Sequence, residues 1–100
     1  MLVELHKATP LRSTCMAIHI DLARFALART IIDNVLTKFG PTHNPELKGI
    51  PHLVSEHQTF GRIIVDFPNW ETEWAGSWND LRIMVAQIAD HLNLDVEIEK

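Results

Sequence analysis

The sequence predicts a two-layer α+β domain, a four-stranded antiparallel sheet with two helices on one face. Three observations carry this. Short alternating or β-branched stretches recur at 2–6, 53–57, 62–67 and 95–99. Two longer stretches, ending near Phe39 and Leu92, repeat apolar residues at helical spacing. Glycine- and proline-rich segments separate them.

Residues 2–6 (Leu-Val-Glu-Leu-His) alternate and make the first strand. Thr9 and Pro10 then suit a helix start, as N-cap and first helical position. The next stretch reads two ways. Met16, Ile18, Ile20 and Leu22 alternate like a strand. A wheel at about 100° per residue instead gathers His19, Thr30, Asp33, Asn34 and Thr37 into one polar arc, with Ile18, Leu22, Phe25, Ile32, Val35, Leu36 and Phe39 opposite. The wheel favours one long helix from about residue 13 to Phe39, with a separate strand at 16–20 as the alternative. Ile20, Leu27 and Ile31 fall outside its main apolar face and suggest a second buried side, in loops or a subunit interface. Gly40 and Pro41 end the helix.

Residues 40–52 hold three of the five prolines and two of the four glycines, and form a loop. Residues 53–57 are a weak strand, and 58–61 a turn with Gly61 at its end. Residues 62–67 (Arg-Ile-Ile-Val-Asp-Phe) are the clearest strand, stopped by Pro68. Ser77 with Asp80 three residues on forms a capping box for the second helix. Leu81, Met84, Val85, Ile88, Ala89 and Leu92 make its apolar face. Residues 95–99 alternate Asp-Val-Glu-Ile-Glu in a last strand. The order βαββαβ is the ferredoxin-like arrangement, in one domain over residues 1–100.

Composition narrows the function. The chain is 46% apolar and 22% charged, an ordinary balance for a globular protein. Its net charge of −4 argues against a nucleic-acid grip, which needs clustered Lys and Arg. Residues 51–100 hold nine acidic and three basic groups, whereas residues 1–50 hold four and six. The acidic half suits a basic protein partner or simply keeps the chain in solution. The single cysteine, Cys15, excludes an internal disulfide and fits a reducing, cytoplasmic setting. No apolar run approaches the roughly 20 residues that span a bilayer.

Candidate chemistry is sparse. His43, His52 and His57 lie close in sequence, but at no compact metal-ligand spacing. Asp66, near the end of the best strand, pairs on paper with His57 as an acid–base couple, and His52 joins them if a cavity opens nearby. Cys15 has the surroundings of a packed thiol. No nucleophile elbow or phosphate-binding glycine loop is present, and no cofactor is implied.

The tryptophans are the strongest remaining signal. Trp70, Trp74 and Trp78 are the only three, four residues apart, with Glu71 and Glu73 between the first two. Capping at Ser77 assigns Trp78 to the second helix. Trp70 and Trp74 on the preceding connection are then either a lid on the core or anchors for a partner. The sequence therefore favours a small protein-binding module over an enzyme: Trp70, Glu71, Glu73 and Trp74 as contact surface, Ile20, Leu27 and Ile31 as a self-association patch, and a homodimer or larger assembly. A small-molecule-binding or catalytic dimer using His52, His57 and Asp66 is the alternative.

Overall fold

The computed structural model describes residues 1–8 and 13–98. One mixed sheet of five strands carries two helices on one face. The strands are β1 (Leu2–Ala8), β2 (Ser13–His19), β3 (Leu53–His57), β4 (Arg62–Asp66) and β5 (Asp95–Ile98). The helices are α1 (Phe25–Lys38) and α2 (Trp78–Leu92). Spatial order is β3-β4-β2-β1-β5, antiparallel throughout except for the parallel β1–β5 pair.

Two expectations are corrected. The long helix from residue 13 is instead strand β2, a short 3₁₀ turn at Leu22–Arg24, and then α1. Period two wins in the first part, because Thr14, Met16 and Ile18 are buried on one face of the sheet. The polar arc belongs to 30–37 alone, and His19 fell into it by coincidence. The sheet also has five mixed strands where four antiparallel ones were expected. The added strand is β2, hydrogen-bonded between β1 and β4, and the β1–β5 pair is parallel. The expected helix start at Thr9 and Pro10 lies outside the described residues.

The other elements follow their local chemistry. β3 runs into a 3₁₀ turn closed by Gly61 at φ +59, a conformation glycine adopts without penalty. The capping box forms: the Ser77 hydroxyl accepts from the Asp80 N–H at 3.2 Å, and Ser77 N–H donates to Asp80 Oδ2 at 2.8 Å. Arg24 donates through Nη2 to the Leu92 carbonyl at 2.7 Å, tying the start of α1 to an unpaired carbonyl at the end of α2.

The core lies between helices and sheet. Val3 and Leu5 of β1, Met16 and Ile18 of β2, and Ile63 and Val65 of β4 meet Phe25, Ala28, Ile32 and Leu36 of α1 and the apolar face of α2. No described helix is long and apolar enough to cross a membrane.

Candidate functional site

The tryptophan surface does not exist as expected. Trp70 is 4% and Trp74 1% exposed, and both belong to the core cluster. Residues Trp70–Trp74 form a single π-helical turn between Asn69 (φ 57) and Ala75 (φ 55), two left-handed residues that bend the chain in and out again. Trp70 Nε1 donates to Thr14 Oγ1 at 3.2 Å, and Trp74 stacks on Phe39 with ring centroids 5.9 Å apart. Gly76 makes room for the indole, since a Cβ there would stand 1.8 Å from Trp74 Cζ3. The lid reading holds. Glu71 and Glu73 stay exposed. The half-buried tryptophan is Trp78, with Lys7 Nζ 4.6 Å from its ring centroid.

The predicted self-association patch is also dispersed. Ile20 is 3% exposed and its N–H donates to the Gly61 carbonyl at 2.9 Å, so it is core. Ile31 is half-buried against that core, and Leu27 alone is exposed, at 53%.

The histidine constellations do not assemble. His43 is exposed in the loop, and His52 Nδ1 donates to the Ile50 carbonyl at 2.7 Å while Nε2 lies 3.9 Å from Asp33 Oδ1. His57 pairs across the sheet with Arg62, whereas Asp66 pairs with Leu53. Four residues of strand, roughly 13 Å, therefore separate His57 from Asp66 along the sheet. Among the described residues no three His, Cys, Asp or Glu side chains are placed to hold a metal ion. An open groove of about 570 Å³ lies between the helices, lined by Asn34, Lys38, Phe39, Pro45, Gln87 and His91. None of His52, His57 and Asp66 is in it.

What the fold does assemble is the sheet face opposite the helices. Register fixes its membership. One row across the strands reads His57, Arg62, His19, Leu2, Asp95. The next reads Ser55, Ile64, Ala17, Glu4, Glu97, and the third Leu53, Asp66, Cys15, His6. Neighbouring residues in each strand, such as Val3, Leu5, Met16, Ile63 and Val65, point to the core instead. Glu4 holds the centre: Oε2 is 3.0 Å from His6 Nε2 and Oε1 2.6 Å from His19 Nε2. Arg62 lies 5.8 Å from the ring centroid of Phe60, which is 73% exposed. Leu53 is 64% exposed, while Ile64 and Leu2 are half-buried.

This combination was missed because reading β2 as helix removes His19, Cys15 and Ala17 from the sheet. The available signal was alternation from Thr14 to Ile20. Chemically, Glu4 can orient two imidazoles, but the side chains of Glu4, His6 and His19 are 24%, 34% and 36% exposed. Water competes at such a site, so it favours recognition over acid–base chemistry, which gains from a closed pocket. Comparison of the chain with protein-family models, curated proteins and solved structures finds no match.

Proposed function

We propose that the chain is a small cytoplasmic protein-interaction module whose contact surface is the open face of its sheet. One observation carries the reading: a sheet covered by helices on one side exposes on the other a continuous field of apolar and charged side chains. Leu53, Ile64 and Leu2 supply apolar area, while Arg62, Glu4, Asp66 and Glu97 supply direction. Such a field is what a complementary protein surface recognises. The path β2–α1–β3–β4–α2–β5 is best read as a ferredoxin-like core with β1 wedged beside β2. Removing β1 from the observed order would leave four antiparallel strands, β3-β4-β2-β5. That scaffold hosts many unrelated functions, so the surface and not the fold carries the proposal.

The test uses wild type and Ile64→Arg as baits, with captured proteins identified by mass spectrometry and their affinities then measured by calorimetry. A partner that binds through this face loses at least tenfold in affinity for Ile64→Arg, while the variant's thermal midpoint stays within a few degrees of wild type. Equal affinity for both baits would overturn the reading.

A further inference from the structure

We propose that the groove between the two helices binds a small aromatic monocarboxylic acid, with its carboxylate on Lys38 and its ring against Phe39. The groove lies on the helix side of the sheet, so it is separate from the contact face assigned above and does not depend on it. Its volume of about 570 Å³ falls within the ordinary range of ligand pockets, roughly 300–1,000 Å³.

The chemistry of the walls selects the ligand. Four polar side chains line the groove, Asn34 and Lys38 from α1, Gln87 and His91 from α2. All four can donate a hydrogen bond. None makes a side-chain hydrogen bond or ion pair with another described residue. The chain carries thirteen acidic residues, yet no described Asp or Glu lines this groove. Lys38 is thus a cation without a counter-ion in a cleft walled by donors, and an anionic ligand supplies the missing charge. Val35 and Phe39, both half-buried, add the apolar area. Phe39 is held by its stack on the buried Trp74, so this part of the groove is rigid before anything binds. A flat ring matches it best, gaining contact geometry as well as buried area.

Position decides among anions. Lys38 is the last residue of α1 and His91 stands in the last turn of α2. Each helix C-terminus carries a partial negative charge of about half a unit. A single ammonium so placed suits a single negative charge, and a phosphate dianion meets the greater repulsion.

Amide chemical shifts of the whole ¹⁵N-labelled chain, titrated with phenylacetate, 3-phenylpropanoate and indole-3-acetate, test this. At least one acid binds with a Kd of about 0.1–1 mM, as suits an open groove that covers only part of its ligand. The shifts concentrate at 34–40 and 87–91. The matching primary amide binds at least tenfold more weakly, and phenyl phosphate no more tightly than the acid. Lys38→Gln weakens the acid at least tenfold and leaves the amide unchanged, whereas Asn34→Trp fills the groove and removes binding of both. Both positions are exposed, so the two variants keep thermal midpoints within a few degrees of wild type. The inference is overturned by an absence of saturable shifts up to about 5 mM, or by shifts centred elsewhere. Equal affinities for acid and amide, tighter binding of phenyl phosphate, or a Lys38→Gln variant that binds the acid like wild type would overturn it as well.

Discussion

At the scale of single residues, the two buried tryptophans occupy opposite situations. Trp70 Nε1 donates to Thr14 Oγ1, whereas Trp74 Nε1 is buried with no hydrogen-bond partner among the described residues. Replacing either by phenylalanine removes similar volume and the same N–H. In Trp70→Phe the buried Thr14 hydroxyl loses its donor. In Trp74→Phe an unpaired buried donor disappears. A buried polar group left unsatisfied costs about 1–3 kcal/mol, so Trp70→Phe is expected to be the more destabilising by about that amount. Urea denaturation of both variants measures the difference, and equal losses would contradict it. The alanine variants carry no such contrast: truncating either core indole costs about 3–5 kcal/mol, large against the stability of a domain this size.

At the scale of elements, Asp80 joins the loop at 40–52 to the start of α2. Its side chain is 2% exposed. Burial pushes the carboxyl pKa up, but donation from the Thr42 hydroxyl, the Ser77 N–H and hydroxyl, and the Thr42 N–H outweighs it and holds the value at about 2, against an ordinary 3.8. A folded-state value below the unfolded one means the carboxylate stabilises the fold above pH 3.8, and that contribution fades as pH falls through about 2. The difference amounts to about 2 kcal/mol. Asp80→Asn should lower stability by about that much at pH 7 and flatten the acid limb between pH 4 and 2, as urea titrations at several pH values would record. An unchanged acid limb would remove Asp80 from that role. The capping half of this joint was legible in sequence, because Ser77 and Asp80 are three residues apart. The Thr42 half was not, since 38 residues separate the partners. The same divide runs through the fold. Short-period signals in β3, β4, α2 and β5 were readable, while β2 was lost because 13–22 satisfies both periods and only burial against the helices decides between them. The tryptophan turn was obscured for another reason. A π turn flanked by left-handed Asn69 and Ala75 has no sequence signature, so nothing local said that the rings turn inward.

At the scale of the whole molecule, the position of β1 governs how firmly each strand is held. β1, β2 and β4 each have a hydrogen-bonded neighbour on both sides, whereas β3 and β5 are edges with one neighbour each. β5 is also the shortest strand, with Asp95, Val96 and Glu97 all exposed, and it pairs with β1 alone. Local sequence could not reveal this, because the parallel β1–β5 pairing joins the two ends of the described chain. Amide protection follows the number of ladders and the apolar burial around each bond. Backbone hydrogen exchange should therefore be slowest in β2, whose core-facing Met16 and Ile18 are fully buried, and at least a hundredfold faster in β5. The β3 amides should fall between, since Val54 is half-buried and the Arg29–Glu56 ion pair, at 3.6 Å, links that edge to α1. Association through the open face covers side chains without adding a ladder at either edge, so raising the protein concentration should leave this ranking intact. Residue-resolved exchange at two concentrations checks both points. Protection of β5 equal to that of β2 would mean that the β5 edge is paired in solution, and a partner would then have to be sought along that edge.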